Sequence, residues 1–251
     1  MHPDDQAGKK SLGVKKAWIT LSQPGAERLA QQMRDAGYVS LVEPATAIKF
    51  LPWAPPVQLP DRLIFLSQHA ALGFLQESKS LSVASQCEFV VAIGERSAAV
   101  LRGSGVRVVV PDLEQSEGLL DMPELVPLAD GGLLRTTDRV WQIGGKGGRN
   151  LIADALADKC CWERCDVYER IDVNLDHVDI ADIGALVVGS IHGLEQVAAH
   201  WHACGGAQSA IVIVPSERVA ARAQQLGFSR CFNSHGTDGR SIINTIKTAL
   251  V

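Results

Sequence analysis

The residues best suited to chemistry surround a glycine-rich stretch near the middle of the chain. The stretch reads Gly144-Gly145-Lys146-Gly147-Gly148, and Arg149 and a helical spacing of apolar residues follow it. The first N–H groups of a helix have no intrahelical partners, and its dipole adds roughly half a positive charge there, so anions are favoured. Arg149 would add a bidentate donor and Lys146 a point charge. The alternative is a plain chain turn, because the stretch lacks the full pattern of a P-loop or a dinucleotide fingerprint.

Hydroxyl side chains stand at several predicted strand-to-helix junctions. These serines are Ser67, Ser97, Ser190 and Ser216. Serine is among the preferred N-cap residues, so each of them has an ordinary explanation as a helix cap. If the four junctions pointed into one cleft, they would form a ring of donors for an anion.

Strands and helices alternate at short spacing through most of the chain, which predicts parallel sheets wrapped by helices. Pairs of residues repeat at offsets of 122 or 123, and they include Trp18 and Trp141, Ser67 and Ser190, and Ala98 and Ala220. A shared offset indicates that the two halves are copies of each other. Prolines between Glu43 and Pro60 disfavour a central strand and indicate a crossing between domains there.

The composition limits the class of protein. Of the 251 residues, 46% are hydrophobic and 21% are charged, which is ordinary for a globular chain of one or two domains. The net charge of −4 provides no global field that would attract nucleic acid or an anionic membrane. No apolar run has the length of a spanning helix or a signal-peptide core, so we expect a cytoplasmic protein whose six cysteines are reduced.

Metal and hydrolase chemistry have little support in the sequence. Two clusters of candidate ligands lack the paired spacing of a zinc site, so no metal is predicted. They are Cys160, Cys161 and Cys165, and His192, His200 and His202. Ser67 and His69 lack the nucleophile-elbow pattern of a serine hydrolase.

Five segments together resemble one known family. In chain order they are LIFLSQHAA, VAIGERSAAVL, GGKGGRNLIADAL, VYER and VIVPSERVAARAQQLGF. Their order and spacing are similar to those of the uroporphyrinogen-III synthase family, and the resemblance extends from Trp18 to Ala249. It implies an α/β protein of two similar parallel-sheet domains, doubly wound and flavodoxin-like, with a narrow two-segment connector and a cleft between them. It places residues 1–42 and 172–251 in one domain and residues 43–171 in the other.

The family's substrate is hydroxymethylbilane, a linear tetrapyrrole that carries eight carboxylates. The implied reaction is loss of water and ring closure with inversion of ring D, which gives uroporphyrinogen III for haem biosynthesis. The resemblance implies no metal or organic cofactor. It also implies a monomer, with transient contact with hydroxymethylbilane synthase as a further expectation. The net charge and the hydropathy lead us to expect neither nucleic acid nor membrane as a partner.

Tyr168 matches the family's tyrosine at the cleft and is expected to help the hydroxyl group leave. A phenol is protonated at neutral pH and donates a hydrogen bond to a departing oxygen. The alternative role for this residue is packing at the end of a strand. The expected substrate-binding residues are Ser67, Gln68, Ser97, Lys146, Gly147, Gly148, Arg149, Ser190, Ser216 and Arg218.

Four positions depart from the family pattern. Gln23 and Gly144 stand where relatives usually have arginine, and Leu66 and Gly189 stand where they usually have threonine. Each missing arginine would remove about 1.5–3 kcal/mol if it bonded a carboxylate. We expect an active synthase in which backbone amides carry most of the binding. The alternatives are an impaired paralogue that binds a tetrapyrrole or other polycarboxylate without cyclising it, and an unrelated nucleotide-binding α/β protein.

Overall fold

The computed structural model describes residues 16–54, 58–147 and 150–249. The chain forms two compact units. The first unit contains the chain up to Ala47 and from Ile171 onward, and the second unit is Ile48–Arg170. Two residues expected at the site, Gly148 and Arg149, lie outside the described ranges.

Strands and helices alternate in the described residues. The strands are β1 (Ala17–Ile19), β2 (Ser40–Val42), β3 (Thr46–Phe50), β4 (Arg62–Phe65), β5 (Phe89–Ala92), β6 (Arg139–Gly145), β7 (Cys161–Asp172), β8 (Ala185–Val187), β9 (Ile211–Val214) and β10 (Arg230–Asn233). The helices are α1 (Gly25–Asp35), α2 (Gln68–Phe74), α3 (Ser80–Gln86), α4 (Glu95–Gly103), α5 (Ser116–Leu120), α6 (Leu151–Leu156), α7 (Ile191–Ala203), α8 (Glu217–Gln225) and α9 (Gly239–Ala249). None of these helices has both the length and the apolar character needed to cross a bilayer.

The first unit is built on a parallel sheet in the order β10-β9-β8-β1-β2. Numbered within the unit and read from β2, the strand order is 2-1-3-4-5, which is the flavodoxin-like form of a doubly wound sheet. Side chains alternate between the two faces of each strand. Trp18 and Val212 therefore pack in one core with α7 and α8, whereas Ile19 and Ile213 pack in another with α1 and α9.

The second unit has the sheet order β3-β7-β6-β4-β5, in which β7, β6, β4 and β5 are parallel. Strand β3 lies at the edge of the sheet, between Pro44 and Pro52. Prolines next to an edge strand remove no hydrogen bond from the centre of the sheet. Leu63 and Trp141 pack in a core with α2, α3 and α4, and Ile64 and Val140 face α5 and α6 on the other side.

A buried ion pair lies at the start of β4. The guanidinium of Arg62 is fully buried and donates to the Asp138 carboxylate at 2.6 Å from Nη2 and 3.1 Å from Nε. Burial raises the pKa of Asp138, but hydrogen bonds from the Arg135 backbone and from Arg62 outweigh that effect, so its pKa lies below the ordinary value. The pair is therefore ionised in the folded protein.

The two sheets repeat one arrangement of strands. The set β2-β1-β8-β9 in the first unit corresponds to β7-β6-β4-β5 in the second, and the sequence offset links strands at the same place in each set. Trp18 lies in β1 and Trp141 in β6, while Ser67 follows β4 and Ser190 follows β8. The α/β class with parallel sheets is confirmed, and the strand order agrees with the duplication that the offset indicates.

Candidate functional site

The carboxyl edge of the second sheet brings three of the expected site segments together. Ser67 follows β4, the glycine-rich turn follows β6, and Tyr168 lies in β7, whose neighbour is β6. Gly145 is in register with Tyr168, and the Lys146 N–H donates to the Tyr168 carbonyl at 2.7 Å. The turn and the tyrosine are therefore adjacent.

A serine cap holds the phenol of Tyr168. Ser67 is the N-cap of α2, with extended backbone at φ −168° and ψ 164°, and its Oγ accepts the Ala70 N–H at 3.0 Å. The same Oγ lies 3.1 Å from the Tyr168 hydroxyl. A hydroxyl has two acceptor lone pairs and one proton, so Ser67 can cap the helix and bond the phenol at the same time. Tyr168 is only 4% exposed.

The ring of Tyr168 lies directly against the strand that carries the turn. A Cβ atom added to Gly145 would stand 2.4 Å from the ring Cζ, so only glycine leaves space for the ring there. The His69 ring centre is 5.6 Å from the Tyr168 ring centre, and Cζ of Arg170 is 5.5 Å from it. Gly145 and Arg170 are not among the expected site residues, although both stand within the five segments that resemble the family.

Arg164 braces the turn from the neighbouring strand. Its Nη2 donates to the carbonyls of Gly145 and Gly147 at 2.6 and 2.7 Å, and its Nε donates to Asp166 at 2.6 Å. Gly147 has φ +75°, a conformation that favours glycine. These two hydrogen bonds fix the positions of the Gly145 and Gly147 carbonyls and so hold the turn in one conformation. Sequence reasoning missed Arg164 because only the β6–β7 register brings it to the turn.

The ammonium group of Lys146 faces a carboxylate of its own unit. Its Nζ lies 3.8 Å from Glu169, which also receives Lys49 at 3.0 Å. The hydrogen bond from Lys49, followed by the charges of both lysines, holds the pKa of Glu169 below its ordinary value. Lys146 is thus one of two cations that share the Glu169 carboxylate.

Two further predicted residues of the second unit lie in helices. Gln68 is the first residue of α2. Ser97 is the third residue of α4 and is 3% exposed, while Gly94 is the N-cap of that helix. The prediction that Ser97 stands at a strand-to-helix junction is therefore wrong, because the extended residue that ends the loop is Gly94.

In the first unit, two predicted serines lie at neighbouring junctions of the sheet's carboxyl edge. Ser190 caps α7, and its Oγ accepts the Gly193 N–H at 3.1 Å. Ser216 is the N-cap residue of α8, but its side chain makes no capping hydrogen bond. Arg218 is the second residue of α8 and is exposed. Because β8 and β9 are adjacent and parallel, the two serines share one edge.

Two of the four departures from the family pattern make specific local contacts. The Gln23 Oε1 accepts the Glu27 N–H at 3.3 Å, in the first turn of α1. A Cβ on Gly189 would stand 2.4 Å from Leu21 Cδ2, so leucine occupies the space that a threonine side chain would need. By contrast, a Cβ on Gly144 would meet nothing within 4 Å.

Two thiols of the second unit, those of Cys160 and Cys165, are poor nucleophiles in this fold. Burial raises the pKa of Cys160 and of Cys165 to about 11, so both remain protonated at neutral pH. Across residues 16–54, 58–147 and 150–249, no three His, Cys, Asp or Glu side chains are grouped to hold a metal ion.

Comparisons with known proteins agree with this arrangement. The family model described as uroporphyrinogen-III synthase HemD matches residues 27–242. The structure of uroporphyrinogen-III synthetase from Helicobacter pylori is similar, with a TM-score of 0.60 and 15% identity over 93% of this chain and 98% of that one. A mutant uroporphyrinogen III synthase from the extremely thermophilic bacterium Thermus thermophilus has a TM-score of 0.55 and 15% identity over 94% and 98%. The structures show a shared fold, and the family model spans most of the sequence. The chain therefore belongs to the uroporphyrinogen-III synthase family.

Proposed function

We propose that this protein is a uroporphyrinogen-III synthase, a lyase that cyclises hydroxymethylbilane with loss of water and inversion of ring D. The observation that carries the proposal is the phenol of Tyr168, which is bonded to the Ser67 cap beside the glycine-rich turn. A hydrogen-bond donor next to an anion-binding turn is what elimination of a hydroxyl group from a polycarboxylate requires.

The proposed elimination gives Tyr168 the role of hydrogen-bond donor. As the carbon–oxygen bond of the hydroxymethyl group breaks, the lone pair of the pyrrole nitrogen supplies the electrons of the new exocyclic double bond. The departing oxygen takes up the phenolic proton and leaves as water, and the pyrrole N–H proton returns to the phenolate through solvent. The phenol donates to this oxygen while negative charge develops on it. Ser67 orients the phenol, because its Oγ is itself fixed by the Ala70 N–H.

The intermediate left by water loss, an azafulvene, closes to the wrong isomer without help. Ring closure must instead occur at the substituted carbon of the terminal pyrrole, which inverts that ring. The protein's task is then to confine and orient a flexible polyanion, an entropic contribution rather than one of bond chemistry. No cofactor is needed for this sequence of steps.

Carboxylate binding is proposed for both carboxyl edges. In the second unit the donors would be Gly147, the Ser67 and Gln68 cap region and, outside the described residues, Gly148 and Arg149. In the first unit they would be Ser190, Ser216 and Arg218, of which Arg218 has no carboxylate within ion-pair distance in the described part of the chain. The protein would act as a monomer and receive hydroxymethylbilane from hydroxymethylbilane synthase.

The second candidate function is a paralogue that binds a tetrapyrrole without cyclising it. The absence of arginine at Gln23 and Gly144 favours this alternative, because two charge-assisted contacts with carboxylates would be missing. The missing contacts would impair the orientation of the substrate and would leave the elimination step unaffected.

Product isomers distinguish the two functions. Purified protein is incubated with freshly generated hydroxymethylbilane, and the oxidised products are resolved by chromatography. A synthase yields type III in excess of the spontaneous type I product. Type I alone, together with measurable binding of the substrate, would establish the paralogue and overturn the proposed activity.

A further inference from the structure

Near its end, β7 has a positively charged side chain on one face and a negatively charged side chain on the other. Successive side chains of a strand point to opposite faces, so Tyr168 and Arg170 share a face while Glu169 points the other way. The contacts agree with this alternation. Cζ of Arg170 stands 5.5 Å from the centre of the Tyr168 ring, and Glu169 pairs with Lys49 and Lys146.

The cations near the turn differ in what they already contact. Arg164 is bonded to Asp166 and to two carbonyls of the turn, and Lys146 is in reach of Glu169. Arg170 is exposed, and within the described ranges no carboxylate lies within 4.0 Å of its guanidinium. Among the three described cations beside the turn, Arg170 is therefore the one that a carboxylate ligand can bind without displacing a protein carboxylate or carbonyl.

The position of Arg170 over the aromatic ring also restricts where its charge can lie. A guanidinium within about 6 Å of a ring centre is attracted to the ring face and keeps its N–H fork at the periphery for another partner. Such a fork matches the two oxygens of a carboxylate. A carboxylate bound there would lie on the same face of β7 as the phenol that Ser67 orients.

We propose that Arg170 binds a carboxylate side chain of the linear tetrapyrrole and thereby places the neighbouring reacting ring at the phenol of Tyr168. This inference rests on the proposed function, since it names the group that such a substrate would offer. Arg170 would also supply a positive charge to a chain that has no arginine at positions 23 and 144, and it does so from β7. It acts by binding and orientation, and it takes no part in breaking the carbon–oxygen bond.

The test uses uroporphyrin III, a stable porphyrin that carries eight carboxylates, as a binding probe for the full chain. Its dissociation constant is measured by fluorescence titration for wild type, Arg170→Gln, Arg170→Met and Arg170→Lys. We expect about tenfold weaker binding for the Gln and Met variants, because a charge-assisted hydrogen bond to a carboxylate is lost. Arg170→Lys should lie between them and wild type, since it keeps the charge but not the fork.

Arg107→Gln is the matched control, because Arg107 is an exposed arginine of the same unit that stands away from the carboxyl edge of the sheet. It should bind uroporphyrin III as wild type does. The Met variant separates binding from packing: methionine keeps an apolar contact with the Tyr168 ring but has no charge. If Arg170 only packs on the ring, Arg170→Met will bind as tightly as wild type, and the inference is overturned.

The outcomes also separate this inference from the proposed function. Wild type that binds uroporphyrin III but makes no type III isomer would overturn the synthase activity, while a loss of affinity in Arg170→Gln would still support the carboxylate contact. Wild type that makes type III, with all Arg170 variants binding within twofold of it, would overturn the Arg170 assignment alone. A wild-type protein that does not bind the probe also overturns it.

Discussion

The two units carry the same serine cap but differ in what lies beside it. Ser67 and Ser190 have nearly equal backbone angles, at φ −168° and −159°, and each Oγ accepts the N–H three residues later, at 3.0 and 3.1 Å. The phenol of Tyr168 bonds the first of these caps. The residue 123 positions before Tyr168 is Ala45, a fully buried alanine of the first unit's core. The Ser67 cap therefore has a phenol beside it, whereas an apolar alanine takes the corresponding position in the first unit.

The strand beside the cap differs in a complementary way. Gly145 leaves space for the Tyr168 ring, whereas the residue 123 positions earlier is Ser22, whose Oγ lies 2.8 Å from the Thr46 hydroxyl. The contact between Gly145 and the Tyr168 ring therefore has no counterpart at Ser22, whose hydroxyl contacts Thr46 instead. A side chain as large as tyrosine fits at position 168 only because Gly145, on the neighbouring strand, has no side chain.

The largest expected effect tests another difference between the units, the buried Arg62–Asp138 pair. The residue 123 positions after Arg62 is Ala185, which is apolar and fully buried. Asp138→Asn should destabilise the protein by about 3–5 kcal/mol, because it leaves the buried Arg62 charge with only the half-exposed Glu88 carboxylate, at 4.0 Å, as a counter-charge. Urea denaturation followed by tryptophan fluorescence measures the change. The exposed pair of Arg102 and Glu95 provides the control, since Arg102→Gln should cost at most about 1 kcal/mol.

The same pair predicts how stability depends on pH. The pKa of Asp138 is lower in the folded protein than in the unfolded chain, so the unfolded state takes up the proton first as pH falls. The contribution is complete above about pH 4 and is lost progressively below it. Wild type should lose stability over that range more steeply than Asp138→Asn, and parallel curves for the two proteins would contradict the assignment.

The second prediction removes the group that distinguishes the two caps. Tyr168→Phe should lower kcat by about 100-fold, the lower end of what a positioned proton donor contributes. The affinity for uroporphyrin III and the unfolding midpoint should change little, because the ring and its packing remain. Tyr38→Phe is the matched control, since Tyr38 is the other tyrosine and its buried hydroxyl has no hydrogen-bond partner among the described residues. Equal losses of turnover, affinity and stability in Tyr168→Phe would remove the catalytic role.

Local signals in the sequence were enough for much of the fold. Strand and helix alternation, with glycine after several helices, predicted the parallel sheets, and serine before apolar spacing predicted the N-cap positions at Ser67, Ser190 and Ser216. The prediction for Ser97 is wrong because the loop before α4 ends at Gly94. A glycine N-cap has no polar side chain, so the sequence does not show that the helix begins there rather than at the serine three residues later. Cap identity is a local property, so it is predictable only when one residue dominates the choice.

The contacts that make the site could not be derived in the same way. Ser67 and Tyr168 are 101 positions apart, and Arg164 meets the turn only because β6 and β7 are in register with an irregularity at Gly144 and Gly145. Register depends on the packing of both faces of the sheet, so a single sequence does not specify it residue by residue. The family resemblance supplied Tyr168, but not the glycine and the two arginines around it.

The third prediction compares the two caps directly. Ser67→Ala and Ser190→Ala should each destabilise the protein by about 1 kcal/mol, since each removes one hydrogen bond from the first turn of a helix. Only Ser67→Ala should also lower kcat, by about tenfold, because the phenol loses the group that orients it. Chemical denaturation and steady-state kinetics on the two variants provide the measurements. An equal fall in kcat for both would mean that the caps act through stability alone.

The smallest expected effect concerns Gly144, the position where relatives usually have arginine. Because a Cβ there meets nothing within 4 Å, Gly144→Arg should fold with an unchanged unfolding midpoint. Its guanidinium would stand one residue before Gly145 and add a donor for a carboxylate, so the affinity for uroporphyrin III should rise by about three- to tenfold. Gly144→Gln has comparable reach without charge and should bind as wild type does. If both variants bind alike, the space at Gly144 does not face the ligand, and the missing arginine is no reason to expect weaker substrate binding than in relatives.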